Sequence, residues 1–286
     1  MKTNRKELSI VSGVGFRSNW DGAEIGDVFN TPGVKPNIGA CVTKVLYEAG
    51  HDVVMLSRTE EKMTRIKHSL QGDGGGSNRL ECVPVDLLDT ESVNRAVESL
   101  DLSGPVNLIH SVGLSAGMYK VPNDNPYLEI EDTPIELPVL EFEIVVKSLL
   151  ILVRALLPLM KKAKESKIVV VSSMSGIRAF PLGYSHASAK AGLHHAVRSL
   201  TLELAKSEIY VSEVLPGIVN TGLYDNPHVM ESVDKIAAAF GYEYEGELPQ
   251  IPPIDVADAV KMCLTSKAHI LSVNMVSKGQ WPNIGA

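Results

Sequence analysis

Two groups of glycines near the start of the chain have the residue types and spacing of a phosphate-binding turn. The first ends an apolar stretch, in Val11-Ser12-Gly13-Val14-Gly15, and the second opens a helical pattern, in Asn37-Ile38-Gly39-Ala40. Glycine permits a tight turn and lets backbone amides approach a phosphate at a helix N-terminus, where the helix dipole favours an anion. These residues predict a dinucleotide site, and an ordinary strand-to-helix turn is the alternative interpretation.

The end of the second predicted strand bears on which dinucleotide would bind. A carboxylate there accepts a hydrogen bond from a ribose 2′-hydroxyl and favours NAD, whereas a guanidinium forms charge-assisted, bidentate contacts with the 2′-phosphate of NADP. The chain has Ser57 and Arg58 at this point, and no acid before Glu60. NADP(H) is therefore the expected cofactor, the alternative being that Arg58 is a solvated charge at the start of a helix.

These residues need a scaffold of parallel strands, and the chain has the pattern of one. Short β-branched runs alternate with helical patterns, which is typical of strand–helix–strand units. Seven strands are predicted, at Leu8–Val14, Asp52–Leu56, Leu80–Val85, Val106–His110, Lys167–Ser172, Ile209–Leu215 and Ile270–Val276. Helices are predicted near Asn37–Glu48, Thr59–Ser69, Thr90–Ser99, Leu140–Ala163, Ser188–Ala205 and Val256–Leu264. The expected fold class is α/β, a Rossmann-type, doubly wound, seven-stranded parallel sheet in a three-layer α/β/α sandwich.

Two long stretches interrupt this alternation of strands and helices. Residues 16–36 form a polar insertion between the two glycine groups, and its length is typical of a functional loop. Residues 217–253 are rich in Tyr, Pro and Glu, with a short helical pattern near Met230 to Phe240. Because no convincing domain boundary is visible, we expect one domain over residues 1–286.

Further motifs follow in order along nearly the whole chain. They are Pro84-Val85-Asp86-Leu87, His110-Ser111-Val112-Gly113, Arg154 to Met160, Ile168 to Ser173, Ala189 to Leu193 and Leu215 to Thr221. Together with the glycines they resemble the short-chain dehydrogenase/reductase family, whose first turn reads Thr-Gly-x-x-x-Gly-x-Gly. In this chain the insertion separates the two halves of that turn, and Asn37 replaces a glycine. The cofactor contacts that the resemblance and the glycine turn imply are Ser12, Gly13, Asn37, Ile38, Gly39, Ser57, Arg58, Asp86, Leu87, Ser111, Val112, Gly113, Lys190, Pro216, Gly217, Val219 and Thr221.

The resemblance also implies a catalytic group, which this chain carries in altered form. Family members use a Tyr-x-x-x-Lys pair, a Ser thirteen residues before the Tyr, and an Asn on the preceding helix. Here the corresponding residues are His186 for the Tyr, Lys190, Ser173, and Val145 for the Asn. An imidazole exchanges protons near neutral pH, so His186 is the predicted proton donor. Tyr184 is the alternative, although its spacing of six from Lys190 turns it to a different helix face.

These assignments favour an NADP(H)-dependent ketoreductase or alcohol dehydrogenase. Ser173 would hold the substrate oxygen, His186 would deliver a proton and Lys190 would hold the ribose. The aromatic residues of 217–253, which the resemblance makes a substrate lid, imply an apolar or ring-containing small-molecule substrate. Two other functions stay open: a non-redox acid–base enzyme such as a dehydratase, isomerase or cyclase, and a non-enzymatic NADP(H)-binding module.

Composition limits the partners that we expect. A net charge of −7 and a pI near 5.6 argue against nucleic acid, whose binding depends on Lys and Arg. The longest apolar run, Ile144 to Met160, contains two cations and is shorter than the ~20 residues that span a bilayer, so no membrane contact is expected. No His, Cys and Asp cluster has metal-ligand spacing, so no metal is expected.

The remaining expectations concern location and assembly. Three widely spaced cysteines in apolar runs fit buried thiols in a reducing compartment, and the start of the chain lacks a signal-peptide pattern. We therefore expect a cytoplasmic protein. The resemblance implies a homodimer or homotetramer that pairs through the helices predicted near Leu140–Ala163 and Ser188–Ala205.

Overall fold

The strands of a computed structural model form one parallel sheet and one small hairpin. The structure describes residues 7–18, 26–72, 76, 78–100, 104–114, 120–163 and 165–280. In this part of the chain the strands are β1 Leu8–Ser12, β2 Phe16–Ser18, β3 Val34–Pro36, β4 Asp52–Ser57, β5 Leu80–Pro84, β6 Val106–His110, β7 Lys167–Val171, β8 Tyr210–Pro216 and β9 Ser272–Met275. Seven of them form a parallel sheet in the order β5-β4-β1-β6-β7-β8-β9. The predicted fold class is therefore confirmed.

Helices cover both faces of this sheet. They are α1 Ile38–Glu48, α2 Glu60–Gln71, α3 Thr90–Glu98, α4 Glu136–Phe142, α5 Ser148–Ala163, α6 Tyr184–Leu204, α7 Pro227–Ala239 and α8 Pro253–Thr265. Helices α1, α2 and α8 belong to one hydrophobic cluster, and α3, α5 and α6 to another. Neighbouring strand residues point to opposite faces, so Ile10 packs in one cluster and Val11 in the other. Strand order reverses between β1 and β6, the place where such sheets bind ligands beyond their carboxyl ends.

Several predicted boundaries were wrong by a few residues. Strand β1 ends at Ser12 rather than Val14, because Gly13 turns the chain with φ of +82°. Helix α6 begins at Tyr184 rather than Ser188. The helix predicted from Leu140 begins at Glu136, and the π-helical turn Glu143–Lys147 joins α4 to α5.

The ends of the predicted insertion pair with each other. Strands β2 and β3 are antiparallel, with Phe16 opposite Pro36 and Ser18 opposite Val34. Phe16, Val28 and Val34 are buried in the cluster of α1, so the insertion is anchored by apolar contacts and is not wholly polar. Residues 19–25 of the insertion lie outside the described residues.

The region 217–253 packs around helix α7, which is longer than the predicted Met230 to Phe240 segment. Val229, Val233 and Ile236 of α7 form a third hydrophobic cluster with Tyr127 and Leu248. In the part of the chain that the structure describes, no helix combines the length and apolarity needed to cross a membrane.

Candidate active site

The glycine turn brings three elements together at the carboxyl edge of the sheet. A Cβ atom on Gly13 would lie 2.2 Å from the carbonyl oxygen of Ser111, and one on Gly39 would lie 2.6 Å from the carbonyl oxygen of Gly13. Neither position has room for a side chain. The turn therefore requires glycine at both places, although the insertion separates them in sequence.

Asn37 joins the two halves of this turn. Its Oδ1 accepts hydrogen bonds from the backbone N–H of Ala40 at 2.9 Å and of Gly15 at 3.1 Å, and its Nδ2 donates to the carbonyl oxygen of Gly13 at 2.8 Å. Asn37 thus caps α1 and holds the end of β1 at the same time. The asparagine that was predicted to replace a family glycine therefore has a structural role that a glycine could not perform.

A first cleft, here called the nucleotide cleft, lies beyond the ends of β1, β4 and β5. Among the predicted cofactor contacts it is lined by Gly13, Asn37, Ser57, Arg58, Asp86, Leu87, Val112 and Gly113. One carboxylate oxygen of Asp86 accepts the backbone N–H of Leu88 at 3.0 Å, which fixes the exposed side chain beside the cleft.

Lys62 also lines the nucleotide cleft and was missed by the sequence reasoning. Its Nζ donates to the carbonyl oxygen of Phe16 at 3.0 Å and lies 5.5 Å from the centroid of the Phe16 ring. Partial burial, and next the charge of Arg17, lower the pKa of Lys62 below its usual value. Lys62 stands four residues after Arg58 in the sequence, so two cations line one cleft.

A second cleft, here called the catalytic cleft, contains three of the four predicted catalytic residues. Ser173, His186 and Lys190 line it, together with the predicted cofactor contacts Ile38, Gly113, Pro216, Gly217, Val219 and Thr221. Gly113 belongs to both clefts, so they meet at the end of β6.

Ser173 and α6 present the reactive side chains. Ser173 follows β7, and its Oγ accepts the backbone N–H of Ser175 at 3.2 Å and the hydroxyl of Ser175 at 2.7 Å. Ser173 is the acceptor in both of these hydrogen bonds, so its hydroxyl proton can be donated to another group. His186 and Lys190 stand one turn apart on α6; the imidazole is partly exposed and the lysine is buried.

Glu141 is a cleft residue that the sequence reasoning missed. It lies on α4, which packs against α6, and only 3% of it is exposed. Its Oε1 lies 3.9 Å from Nδ1 of His186, and its Oε2 has no hydrogen-bond partner among the described residues. Nothing in the local sequence Glu-Leu-Pro-Val-Leu-Glu-Phe distinguishes this glutamate from an exposed helical one.

Lys190 is influenced by two buried carboxylates. Burial lowers the pKa of Lys190 from 10.5 to about 8, and the charges of Glu141 and Glu213 oppose that shift. Glu213 is 2% exposed on β8, and its Oε2 lies 2.7 Å from Nδ1 of His194. Glu213 was also missed, although a charge inside the apolar strand Tyr210–Pro216 was a readable signal.

Val145, the residue that the resemblance aligned with the family's asparagine, lies in the π-helical turn. Its carbonyl oxygen lies 3.3 Å from Nε2 of His110. Because a carbonyl only accepts, Nε2 carries the proton, and Nδ1 accepts from the hydroxyl of Ser12 at 3.0 Å. Burial, with the charge of Lys190 as the second cause, lowers the pKa of His110 to about 3, so this imidazole is neutral.

Four predicted site residues do not line either cleft. Ser12 is buried and directs its hydroxyl to His110. Gly39 and Ser111 form the close contacts of the glycine turn. Tyr184, the alternative proton donor, is 59% exposed at the first turn of α6 and lies outside the catalytic cleft, as its spacing from Lys190 suggested.

Sequence comparison relates the chain to a known family. Residues 32–230 match the family model for short chain dehydrogenases. This chain belongs to the short chain dehydrogenase family. It is 25% identical over 247 residues to an uncharacterized oxidoreductase from Staphylococcus aureus, an alignment that covers 86% of this chain and 93% of the relative.

Solved structures show the same fold. An alcohol dehydrogenase from the archaeon Thermococcus sibiricus, complexed with 5-hydroxy-NADP, superposes with a TM-score of 0.72 at 17% identity and covers 98% of this chain and 100% of its own. An NADPH-bound short chain oxidoreductase from Pseudomonas aeruginosa, described as containing an atypical catalytic center, has a TM-score of 0.71 at 20% identity and covers 97% of each chain. In the described part of this short chain dehydrogenase, no group of three His, Cys, Asp or Glu residues is arranged to hold a metal ion.

Proposed function

We propose that this short chain dehydrogenase is an NADP(H)-dependent oxidoreductase that interconverts a carbonyl and an alcohol, with His186 as the proton donor. One observation carries the proposal. Ser173, His186 and Lys190 line one cleft, which meets the nucleotide cleft at Gly113. A bound dinucleotide that spans both clefts would bring its reactive end beside these three side chains.

The residues of the nucleotide cleft fit such a cofactor. The contacts at Gly13 and Gly39 leave no room for side chains, which is the condition for backbone amides to approach a pyrophosphate. Arg58 and Lys62 line the same cleft, and two cations suit a 2′-phosphate better than a 2′-hydroxyl. Neighbouring structures that contain NADPH or 5-hydroxy-NADP support the choice of NADP(H).

The protein's own residues explain how a carbonyl would be reduced. NADPH, when bound, supplies a hydride to the carbonyl carbon. Ser173 donates its free proton to the carbonyl oxygen, and His186 transfers a proton to that oxygen as negative charge develops on it. Lys190 holds the ribose of the cofactor, and its ammonium stabilises the same charge. In the reverse direction His186 accepts the proton of the alcohol.

The walls of the catalytic cleft favour an apolar or ring-containing substrate. Leu114, Val145, Leu223 and Tyr224 line it beside the polar residues. The hydroxyl of Tyr224 lies 3.3 Å from that of Tyr127. A small carbonyl compound with an apolar body fits this combination of walls and donors.

The decisive experiment measures NADPH and NADH binding, and their oxidation with a panel of ketones and aldehydes. We expect NADPH-dependent reduction that is lost in His186→Phe and kept in Tyr184→Phe, the matched control on the same turn of α6. Arg58→Ala should weaken NADPH binding and leave NADH binding unchanged. Tight NADPH binding without turnover of any carbonyl would instead favour acid–base chemistry or a binding role, and failure to bind either nucleotide would refute the cofactor assignment.

We also propose that the chain is a cytoplasmic homodimer or homotetramer. Large apolar side chains are exposed near α4, α5 and α6: Ile135 is 85% exposed, Leu202 80%, Val139 60% and Leu150 52%. Free thiols at all three cysteines fit a reducing compartment. Light scattering of the purified protein tests the assembly, and a monomer at micromolar concentration would contradict it.

A further inference from the structure

We infer that Glu141 is a positioning residue for His186, fixing the imidazole with its Nδ1 proton toward the carboxylate and its Nε2 toward the substrate. The inference deepens the proposed function, because it assigns the part of the site that replaces the family's tyrosine. It is carried by the arrangement of two buried carboxylates and two proton-bearing side chains on α4, α6 and β8.

The carboxylate of Glu141 needs hydrogen-bond donors that the described residues do not fully supply. It is almost completely buried, and its Oε2 has no partner. A buried carboxylate without hydrogen bonds is costly, so a donor must approach it or a ligand must supply one. Nδ1 of His186 lies 3.9 Å from Oε1, the other oxygen of the same carboxylate.

This separation is too long for a hydrogen bond, and a small rotation of either side chain closes it. Catalytic hydrogen bonds are often long in the absence of substrate and shorten when the site is filled. Glu141 approaches from α4, a different helix from the one that carries His186, and it faces the ring at Nδ1, so it acts on ring orientation and tautomer.

The partners of the two buried carboxylates differ. Lys190 supplies one positive charge, and the charges of Glu141 and Glu213 both act on its pKa. Glu213 also has His194 at 2.7 Å, while His110, the other ionisable group facing Lys190, is neutral. Each carboxylate has one oxygen without a partner among the described residues, but Glu213 is already hydrogen-bonded to His194, whereas Glu141 has the His186 ring at 3.9 Å. We therefore pair His186 with Glu141.

The consequence for the reaction is a defined path for one proton. With Nδ1–H held by Glu141, Nε2 of the imidazolium is the atom that faces the substrate oxygen. During reduction the Nε2–H bond breaks and the O–H bond of the alcohol forms, leaving a neutral imidazole that still donates Nδ1–H to an ionised Glu141. A tyrosine side chain has a single hydroxyl and no second proton-bearing atom, so a carboxylate could not hold it from behind in the way that it can hold a histidine.

The test compares Glu141→Gln with Glu143→Gln, an identical change two residues along the chain at an exposed ion pair with Lys147. The first readout needs no catalysis: nitrogen-15 NMR of the His186 ring in the protein without cofactor, its signals identified by their loss in His186→Gln. We expect the Nδ1–H tautomer in the unmodified protein and in Glu143→Gln, and a shift towards Nε2–H in Glu141→Gln.

The second readout is kinetic. Glu141→Gln should lower kcat about 10- to 100-fold with little change in KM, by analogy with the loss of a carboxylate that orients a metal-bound histidine. If Glu141→Gln does not fold, Glu141→Asp, which keeps the charge and shortens its reach, is put through both measurements and should show the same change in tautomer.

An unchanged tautomer in the Glu141 variant would overturn the inference. So would a higher KM with unchanged kcat, because Glu141 would then contact the substrate directly. If no carbonyl is reduced by any variant, the proposed function fails, and the NMR result still decides whether the pair exists.

Discussion

Nε2 of His110 lies 3.3 Å from the carbonyl oxygen of Val145, and this hydrogen bond ties the end of β6 to the π-helical turn beside the catalytic cleft. The resemblance aligned Val145 with the family's asparagine, and the valine side chain contributes no polar group to the cleft that it lines. Its main chain is nevertheless held in place, by an imidazole that burial keeps neutral. π-Helical turns of this kind frequently occur at functional sites.

His110 should make the protein sensitive to acid. Its pKa is about 3 in the folded protein and 6.5 unfolded, so between these values the unfolded chain binds the additional proton. Stability is complete above pH 6.5 and falls as the pH drops towards 3, by about 1.4 kcal/mol per pH unit from this residue. Urea unfolding measures how much free energy of unfolding is lost between pH 7 and pH 5. Compared with the unmodified protein, His110→Asn should lose about 2 kcal/mol less. The exposed control His195→Asn should lose the same amount as the unmodified protein. Equal pH dependence in all three proteins would contradict the prediction.

Deprotonation of Lys190 should weaken NADPH binding at alkaline pH. With a pKa of about 8 the side chain is charged below that pH and neutral above it, because burial favours the uncharged form. The affinity for NADPH, measured by cofactor fluorescence, should weaken about 10-fold between pH 7 and pH 9.5 as a charged hydrogen bond is lost. Lys190→Arg should keep its affinity over this range, since arginine stays protonated. If NADPH affinity falls equally with pH in the unmodified protein and in Lys190→Arg, a group other than Lys190 is responsible.

Gly13→Ala should destabilise the protein more than an alanine at another glycine with a similar positive φ. Gly13 and Gly50 both have positive φ, of +82° and +95°, but only Gly13 has a backbone oxygen within 2.2 Å of the added Cβ; nothing described lies within 4 Å at Gly50. Gly13→Ala should lower the free energy of unfolding by about 2 kcal/mol more than Gly50→Ala, the cost of overpacking. Denaturant titration measures the free energy of unfolding of both variants. An equal decrease in the two would mean that the backbone near Ser111 moves away from the added Cβ at no cost.

Arg17 should couple the insertion to the region beyond β8. Its guanidinium donates to the carbonyl oxygen of Gly222 at 3.2 Å, while the nearby Lys35 forms an exposed ion pair with Asp225. Charged hydrogen bonds are worth about 1.5 kcal/mol or more, and exposed ion pairs generally less than 1 kcal/mol. Arg17→Met should therefore raise the KM for the carbonyl substrate about 10-fold and Lys35→Met less than 3-fold. The reverse order would place the important contact at Asp225.

The sheet was predictable because its strands are buried on both faces. Such strands read as continuous apolar runs, and Val53 to Leu56 and Ile168 to Val171 are runs of this kind, rich in valine and shorter than a typical helix. Their ends were less predictable, since Gly13 stops β1 by a backbone angle that an apolar pattern does not encode. The pairing of β2 with β3 gave no signal either, because three-residue strands are too short to show alternation.

The catalytic cleft was predictable only where the residues share one helix. His186 and Lys190 stand four apart, so local geometry places them on one face. Glu141 reaches them from another helix, and its burial depends on how α4 packs on α6, which a single sequence does not reveal. Lys62 was missed because its contact with Phe16 depends on the fold of the insertion.

The hairpin of β2 and β3 has a consequence for how this family member has diverged. The hairpin begins after Gly15 and ends before Asn37, the N-cap of α1, and these two residues are joined by a side-chain and a backbone hydrogen bond. Lengthening a loop whose ends are already joined costs little, about 0.6 kcal/mol for each doubling. Between Ser18 and Val34, evolution or a protein engineer can therefore change the length of the chain without rebuilding the turn that receives the nucleotide, provided that Val28 keeps its buried place against α1.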